Sequence, residues 1–337
     1  MKLRLGVIGL GEGWERRYLP ALRVLSDRFN LVAVFESVSQ RARMAARESS
    51  LAVHDSFWTL CRRNDVDAVL VLNPRWLGPL PVLAACEFGK AVYLGASVLL
   101  TLEEVTELRE AVFRSGVAFM VEFYRRYAPA TIRLKELIAT RLGPPRLLFC
   151  HRRLSHYLKA NGTSGPQPVD PIRLDLVELV DWCRFVVGEQ ATSVMGVLHH
   201  CPEKGELDYL MLNLDFSPPG QLGRGPTAQI SCGRYIPPHW HEAVSYRPLA
   251  ELQVVCERGV AFVDLPTTLV WFDEAGRHQE LLDHERPIEE RLLLHFYRAA
   301  TSLVQRASDI DDLRFVLSTI HKAEESAAAG RRISLDG

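Results

Sequence analysis

The sequence lacks any apolar run of the roughly 18 residues that a membrane-spanning helix requires, and it has almost no net charge. Its 40 basic and 41 acidic residues leave a formal charge of −1 at pH 7. A protein that binds nucleic acid or another polyanion usually carries a basic surplus. We therefore expect neither a membrane partner nor a nucleic-acid partner.

Disulfide and metal patterns are missing as well. The seven cysteines are odd in number, and no two form a Cys-x-x-Cys pair. Such cysteines are typical of free thiols in a reducing compartment, and no signal-peptide pattern precedes the first apolar segment, so we expect a cytoplasmic protein. His239 and His241 alternate along one segment, but the pattern offers no third and fourth ligand, so we predict no metal site.

The N-terminus contains a strand, a glycine turn and a helix in succession. Residues 3–8 are a short apolar run, Gly9-Leu10-Gly11 follows, and residues 14–25 are predicted to be helical. This succession holds the pyrophosphate of a dinucleotide, because glycines allow a tight turn and a close approach of the backbone. The helix N-terminus then offers unpaired N–H groups to the phosphates.

A second apolar strand, residues 31–35, ends in Glu36, whose carboxylate is placed to accept a hydrogen bond from a ribose 2′-hydroxyl. Glu36 favours NAD(H), whereas Ser37 and Arg41 would suit the 2′-phosphate of NADP(H), so NADP stays open. The third glycine of the usual pattern falls at Trp14, whose indole either blocks the pyrophosphate or packs beside it. The predicted cofactor-binding residues are Gly9, Gly11, Glu12, Gly13, Trp14, Glu36, Asn73, Pro74 and Gly95.

Apolar strands alternate with helices as far as residue 121 and afterwards follow one another without intervening helices. The first pattern is typical of a doubly wound parallel sheet and the second of a largely antiparallel sheet. We predict an α/β protein with two domains, in line with its length of 337 residues. Residues 1–122 form a Rossmann domain with a doubly wound parallel sheet. Residues 123–337 form an α+β domain with a large, mostly antiparallel sheet, and the C-terminal helix is expected to pack back on the first domain.

Several short segments, in this order and spacing, resemble the Gfo/Idh/MocA family of NAD(P)-dependent sugar and polyol oxidoreductases. The resemblance runs nearly end to end and rests on Gly9-Leu-Gly11 with Tyr18-Leu-Pro-Ala-Leu22, Asn73-Pro74, Phe123-Tyr-Arg-Arg-Tyr-Ala-Pro129, residues 181–188, and Glu325-Ser326 with Gly330-Arg-Arg-Ile-Ser-Leu335. It implies an oxidoreductase that binds NAD(P) and a small polyhydroxylated substrate. It also implies a homodimer or homotetramer that pairs through the open face of the second sheet.

The family's catalytic residues are replaced in this chain. Family members typically carry Glu-Lys-Pro after the fourth strand, where this sequence reads Gly95-Ala96-Ser97. An alanine can neither relay a proton nor hydrogen-bond a reacting hydroxyl. The usual Asp and His of the substrate-facing helix are Leu174 and Glu178, so the family mechanism does not transfer.

Other residues are candidates for the missing chemistry. Asp175 and Glu178 lie three apart on one predicted helix and share a face, where burial would raise a carboxyl pKa and create an acid or base. The alternative is that they only complement the dipole of the helix N-terminus. Arg125 and Arg126 either hold a ligand or form an interdomain ion pair. The predicted catalytic residues are Glu178, Asp175 and His151, and the predicted substrate-binding residues are Tyr124, Arg125, Arg126, Arg153 and Asp181.

Two hypotheses about function follow. The first is an NAD(P)-dependent oxidoreductase whose proton transfer relies on other groups than the family lysine. The second is a catalytically silent protein of the same fold that binds a dinucleotide or metabolite and regulates a partner. Replacement of the lysine favours the second hypothesis, and the polar residues at the predicted substrate side favour retained ligand binding.

Overall fold

The computed structural model describes residues 2–11, 13–49, 51–73, 77–95, 100–155, 171–201, 207–236, 238–246, 250–302 and 309–335. The chain divides into two compact units. Unit 1 contains Met1–Glu122 and Arg286–Phe315, and unit 2 contains Phe123–Glu285 and Val316–Gly337.

The strands of unit 1 are β1 Leu3–Ile8, β2 Phe29–Phe35, β3 Ala52–His54, β4 Ala68–Val71, β5 Ala91–Leu94 and β6 Phe119–Val121. Those of unit 2 are β7 Pro145–Ser155, β8 Ser193–His200, β9 Leu207–Asp215, β10 Thr227–Ile236, β11 Leu252–Cys256, β12 Val260–Asp264, β13 Thr268–Asp273, β14 Gly276–Leu281 and β15 Ile333–Ser334. The α-helices are α1 Leu19–Val24, α2 Ser39–Ser49, α3 Phe57–Cys61, α4 Leu80–Glu87, α5 Leu102–Ser115, α6 Pro129–Leu137, α7 Pro171–Val187, α8 Ile288–Thr301 and α9 Asp309–Ala329.

Unit 1 is a parallel six-stranded sheet in the order β3-β2-β1-β4-β5-β6. Its central strands β1, β4 and β5 are apolar and almost wholly buried, as expected when helices cover both faces. Helix α5 begins with a capping box, in which the Thr101 hydroxyl accepts from the Glu104 N–H and the Glu104 carboxylate accepts from the Thr101 N–H. The carboxyl ends of the strands lie at one edge, where the glycine turn follows β1.

Unit 2 is a nine-stranded sheet in the order β14-β13-β12-β11-β7-β10-β9-β8-β15. All neighbouring strands are antiparallel except β7 and β10, which are parallel. Side chains alternate along the central strands. Leu148, Cys150, Ile230 and Leu212 are buried on the face that carries α7.

The predicted fold class is confirmed, and three details differ from the prediction. The short strand β3 was not predicted, because three residues carry too little periodicity to stand out. The mostly apolar segment 252–263 is not one strand but a hairpin of β11 and β12, and Gly259 at its turn lies against the Phe272 carbonyl, where no Cβ would fit. The predicted helix 14–25 begins as a π-helical turn, Trp14–Tyr18, and becomes α-helical only at α1.

Among the described residues, no helix combines the length and the apolar character needed to cross a bilayer.

Candidate functional site

The glycine turn after β1 requires glycine at two positions. Gly9 and Gly11 have φ angles of +69° and +63°, the left-handed region that other residues rarely adopt. A Cβ on Gly9 would lie 2.8 Å from the carbonyl oxygen of Asn73. The turn is therefore packed directly against the end of β4, and the Gly9 N–H donates to the Phe35 carbonyl oxygen of β2 at 2.8 Å.

Glu36 is buried at the end of β2 and bonds to the glycine turn itself. One carboxylate oxygen accepts from the Leu10 N–H at 2.9 Å. The other accepts from the Ser37 hydroxyl at 3.0 Å and the Val38 N–H at 3.1 Å. Arg41 donates to the Gly11 carbonyl oxygen at 2.6 Å. This negative group, fixed beside the turn, fits the ribose hydroxyls of a dinucleotide.

The π-helical turn places Trp14 in the core. Its side chain is only 3% exposed, so in this structure the indole does not present a surface to a ligand. The turn begins at Gly13, whose carbonyl oxygen accepts from the N–H groups of Arg17 and Tyr18. Such wide turns occur mostly as single insertions in helices and are frequent at functional sites.

Sequence reasoning missed a buried cluster that this turn creates at the carboxyl edge of β5 and β6. The Tyr18 hydroxyl donates to one Glu122 oxygen, and Arg17 donates to the other at 2.7 Å. Arg17 also bonds to Glu289 of α8 at 2.9 Å. Burial raises the pKa of Glu122, against the attraction of Arg17 and the Tyr18 hydrogen bond. Nothing in the sequence links Glu289 to Arg17, because 272 positions separate them.

Unit 2 contains a group of four charged residues between α7 and the sheet, of which Asp175 and Arg125 were predicted as site residues and two others contact them. Arg125 forms an ion pair with Glu251, and its other terminal nitrogen lies 3.9 Å from Asp175. Arg152 lies 3.7 Å from the second Asp175 oxygen and 3.6 Å from Glu251. We call these four residues the α7 charge cluster. Burial raises the pKa of Asp175, while Arg152 and Arg125 oppose the rise.

Glu178 belongs to the same region, since its carboxylate lies 3.4 Å from the Arg125 N–H. The structure therefore brings Asp175, Glu178 and Arg125 together, whereas the spacing in the sequence concerned only Asp175 and Glu178. Tyr124 begins the 3₁₀ turn Tyr124–Tyr127 and is partly exposed. Their roles toward a substrate remain predictions.

His151 and Arg153 are not part of the α7 charge cluster. His151 Nδ1 lies 2.8 Å from the Ser231 hydroxyl, its register partner on β10. Because side chains alternate along β7, His151 lies on the opposite sheet face from Arg152 and Asp175. Arg153 donates to the Tyr246 carbonyl oxygen at 3.3 Å.

Arg126 and Asp181 form a buried ion pair with each other. The Asp181 side chain is 1% exposed, and the Arg126 guanidinium lies 4.2 Å from the centre of the Phe123 ring. This environment indicates a role in holding α7 against the turn at residues 124–127.

Some predicted positions lie outside the described residues. These are Glu12, Pro74 and the replaced motif positions Ala96 and Ser97. Asn73 and Gly95 are described and follow β4 and β5 directly. The described part of the chain contains no group of three or more His, Cys, Asp or Glu arranged to hold a metal ion.

The sheet order, the left-handed glycine turn and the acid after β2 define a Rossmann-fold protein with an appended α+β unit. Residues 3–123 match the model of the oxidoreductase family with the NAD-binding Rossmann fold. This segment, just over a third of the chain, is similar to the Gfo/Idh/MocA oxidoreductase family.

Curated relatives are similar at low identity. The scyllo-inositol 2-dehydrogenase (NAD(+)) of Bacillus subtilis is 25% identical over 231 residues, and this alignment covers 64% of each chain. The 2,7-anhydro-N-acetylneuraminate hydratase of Mediterraneibacter gnavus is 24% identical over 301 residues, which cover 85% of this chain and 74% of the hydratase. The chain thus spans just under two thirds of the length of the inositol dehydrogenase.

Solved structures share the fold over the whole chain. The structure of an oxidoreductase from Thermotoga maritima superposes with a TM-score of 0.81 at 19% identity and covers 99% of both chains. At this identity the likeness concerns the fold alone.

Proposed function

We propose that the protein is an NAD(H)-linked oxidoreductase that acts on a small polyhydroxylated substrate, such as a sugar or a polyol. The observation that carries the proposal is the left-handed glycine turn with the Glu36 carboxylate fixed beside it. When bound, NAD⁺ would supply the hydride acceptor. The match of residues 3–123 to the oxidoreductase family with the NAD-binding Rossmann fold supports this cofactor.

The α7 charge cluster supports a polyhydroxylated substrate. Carboxylates and guanidinium groups placed side by side offer acceptors and donors to neighbouring hydroxyls. Relatives whose names state inositol dehydrogenase activity support the same substrate class. Asp175 is the favoured proton acceptor of the cluster, because its pKa is raised by burial and a raised pKa suits acid–base work near neutral pH. Glu178 is the second candidate.

A binding protein without turnover is the second candidate function. It is favoured by Ala96, which stands where family enzymes keep lysine, and by Leu174 and Glu178 in place of Asp and His. Calorimetric titration of the purified protein with NAD⁺, NADH, NADP⁺ and NADPH, followed by a turnover assay, separates the two functions. Absence of binding to all four dinucleotides would refute the oxidoreductase and leave only a protein that binds another metabolite. We also place the protein in the cytoplasm, since all seven cysteines are free and six of them are buried.

The protein should bind NADH more tightly than NADPH, by about tenfold or more, because Glu36 would repel a 2′-phosphate. The Glu36→Gln variant should narrow this difference. Asp27→Asn is the matched control, since Asp27 is exposed and precedes β2 at the opposite edge of the sheet. Calorimetry measures the four affinities, and tighter binding of NADPH by the unmodified protein would contradict the assignment.

The protein should form a homodimer or homotetramer through the open face of the unit 2 sheet. Phe149 on β7 and Met195 on β8 are 41% and 39% exposed, and they lie in one row with Gln229 and Asn213 across four strands. Exposed apolar residues on such a partly apolar face are typically covered by a partner. Light scattering at micromolar concentration should show an oligomer that Phe149→Lys dissociates.

The control for this experiment is Val24→Lys, which places the same charge on an exposed apolar position of α1 in unit 1. It should leave the oligomer intact. A monomeric unmodified protein would rule out the assembly.

A further inference from the structure

The buried cluster of Arg17, Tyr18, Glu122 and Glu289 lies at one defined place in the Rossmann sheet. Glu122 follows β6 directly, and its side chain is 5% exposed. Both of its oxygens are held, one by Arg17 at 2.7 Å and the other by the Tyr18 hydroxyl. Glu289 joins from α8 through the second nitrogen of Arg17 at 2.9 Å.

Gly95, the residue after β5, allows the cluster to approach the end of that strand. A Cβ built on Gly95 would lie 3.0 Å from the Tyr18 hydroxyl and 3.1 Å from a Glu122 oxygen. Such distances are tighter than ordinary van der Waals contact, so a side chain at this position would crowd the pair. The Glu122 carboxylate is therefore packed directly against the backbone at the carboxyl end of β5.

The strand order indicates which part of a dinucleotide would lie there. A sheet with this order is built from two mononucleotide-binding halves that meet between β1 and β4. Glu36 at the end of β2 marks the half that takes the adenosine ribose. The half formed by β4, β5 and β6, where Gly95 and Glu122 lie, then takes the nicotinamide.

The cluster has one negative charge in excess when both carboxylates are ionised, because Arg17 balances only one of them. An oxidised nicotinamide ring carries a positive charge, and the reduced ring carries none. In a poorly hydrated environment a fixed charge several ångströms away distinguishes the two rings strongly. We infer that Glu122, with Glu289, makes the protein prefer NAD⁺ to NADH. This inference rests on the proposed dinucleotide binding.

The test is calorimetric titration of the full-length protein with NAD⁺ and with NADH, expressed as the ratio of the two dissociation constants. Glu122→Gln keeps the size and polarity of the side chain and removes the charge. It should weaken NAD⁺ relative to NADH by about 3- to 30-fold, the range expected for one unit charge between protein-like and water-like surroundings. Glu289→Gln should shift the ratio in the same direction but less, because the Glu289 side chain is more exposed than that of Glu122. This second variant provides the test if Glu122→Gln does not fold.

Glu110→Gln is the matched control, because Glu110 is exposed in the third turn of α5, remote from the carboxyl edge. Its ratio should equal that of the unmodified protein. If both dinucleotides bind and the ratio is the same in all variants, or shifts equally in the control, the inference is wrong and the proposed function stands. If neither dinucleotide binds the unmodified protein, the proposed function and the inference fail together.

Discussion

The proposed oxidoreductase should oxidise inositols and hexoses only at or near background rates with NAD⁺ and with NADP⁺, and its own substrate is expected to be another polyhydroxylated compound. Loss of one positioned proton-transfer group commonly lowers a rate by about 10² to 10⁴. Here Ala96, Leu174 and Glu178 replace three groups of the family pattern. Absorbance at the NADH band over a panel of polyols and sugar acids measures the rate.

Ala96→Lys alone should not restore turnover, because members of a catalytic unit act together and their effects do not add. The turnover of Ala96→Lys should be compared with that of a triple variant that also carries Leu174→Asp and Glu178→His. Turnover found only in the triple variant would show that the three groups act together. Robust oxidation by the unmodified protein would contradict the prediction and show that another group moves the proton. Single substitutions would then be made first at Asp175 and next at Glu178. Binding of dinucleotide without turnover would favour the binding-protein function.

Asp181→Asn should destabilise unit 2 strongly. The substitution removes the carboxylate that pairs with Arg126 and leaves a guanidinium charge in the core, where its side chain is 8% exposed. Breaking a buried pair in this way typically costs about 3–5 kcal/mol. Urea unfolding followed by circular dichroism should show a lower midpoint. A midpoint equal to that of the parent would mean that the pair contributes nothing to the fold.

Asp175→Asn on the same helix is the matched comparison, because Asp175 is 23% exposed and lies in the α7 charge cluster. Burial raises the pKa of Asp175 in the folded state. The folded protein therefore binds the proton of the Asp175 carboxyl group more tightly than the unfolded chain does. Because of this difference, the free energy of unfolding falls as the pH rises through the folded pKa. At pH 7 the Asn variant should be as stable as the parent or slightly more stable. Any gain should vanish below the unfolded aspartate pKa of about 3.9.

The parts of the fold that could be predicted from the sequence are those set by local patterns. The buried strands β1, β4 and β5 are recognisable as short apolar runs. The pair Thr101 and Glu104 has the spacing of a capping box and so indicates where α5 begins. The glycine turn needs left-handed backbone, so its glycines mark it directly.

The parts that could not be predicted depend on distant contacts. In the sequence, Glu122 is one acidic residue after an apolar strand, and nothing indicates that Arg17, Tyr18 and Glu289 surround it. Arg125 and Arg126 were equally plausible as ligand contacts or as ion-pair partners. The sequence alone cannot decide, because both roles need the same residue types, and the choice depends on burial.

The π-helical turn at residues 14–18 also fixes the rotational phase of the helix that follows it. Its bonds enclose one residue more than those of an α-helical turn. Each residue of an α-helix advances the chain by about 100° around the axis. Removal of one residue from the turn would therefore rotate the side chains of Arg17 and Tyr18 by about 100° around the helix axis, away from Glu122. The extra residue of the π-helical turn thus determines the helix face on which Arg17 and Tyr18 lie. A sequence alignment that treats this segment as a regular α-helix would place both side chains on the wrong face.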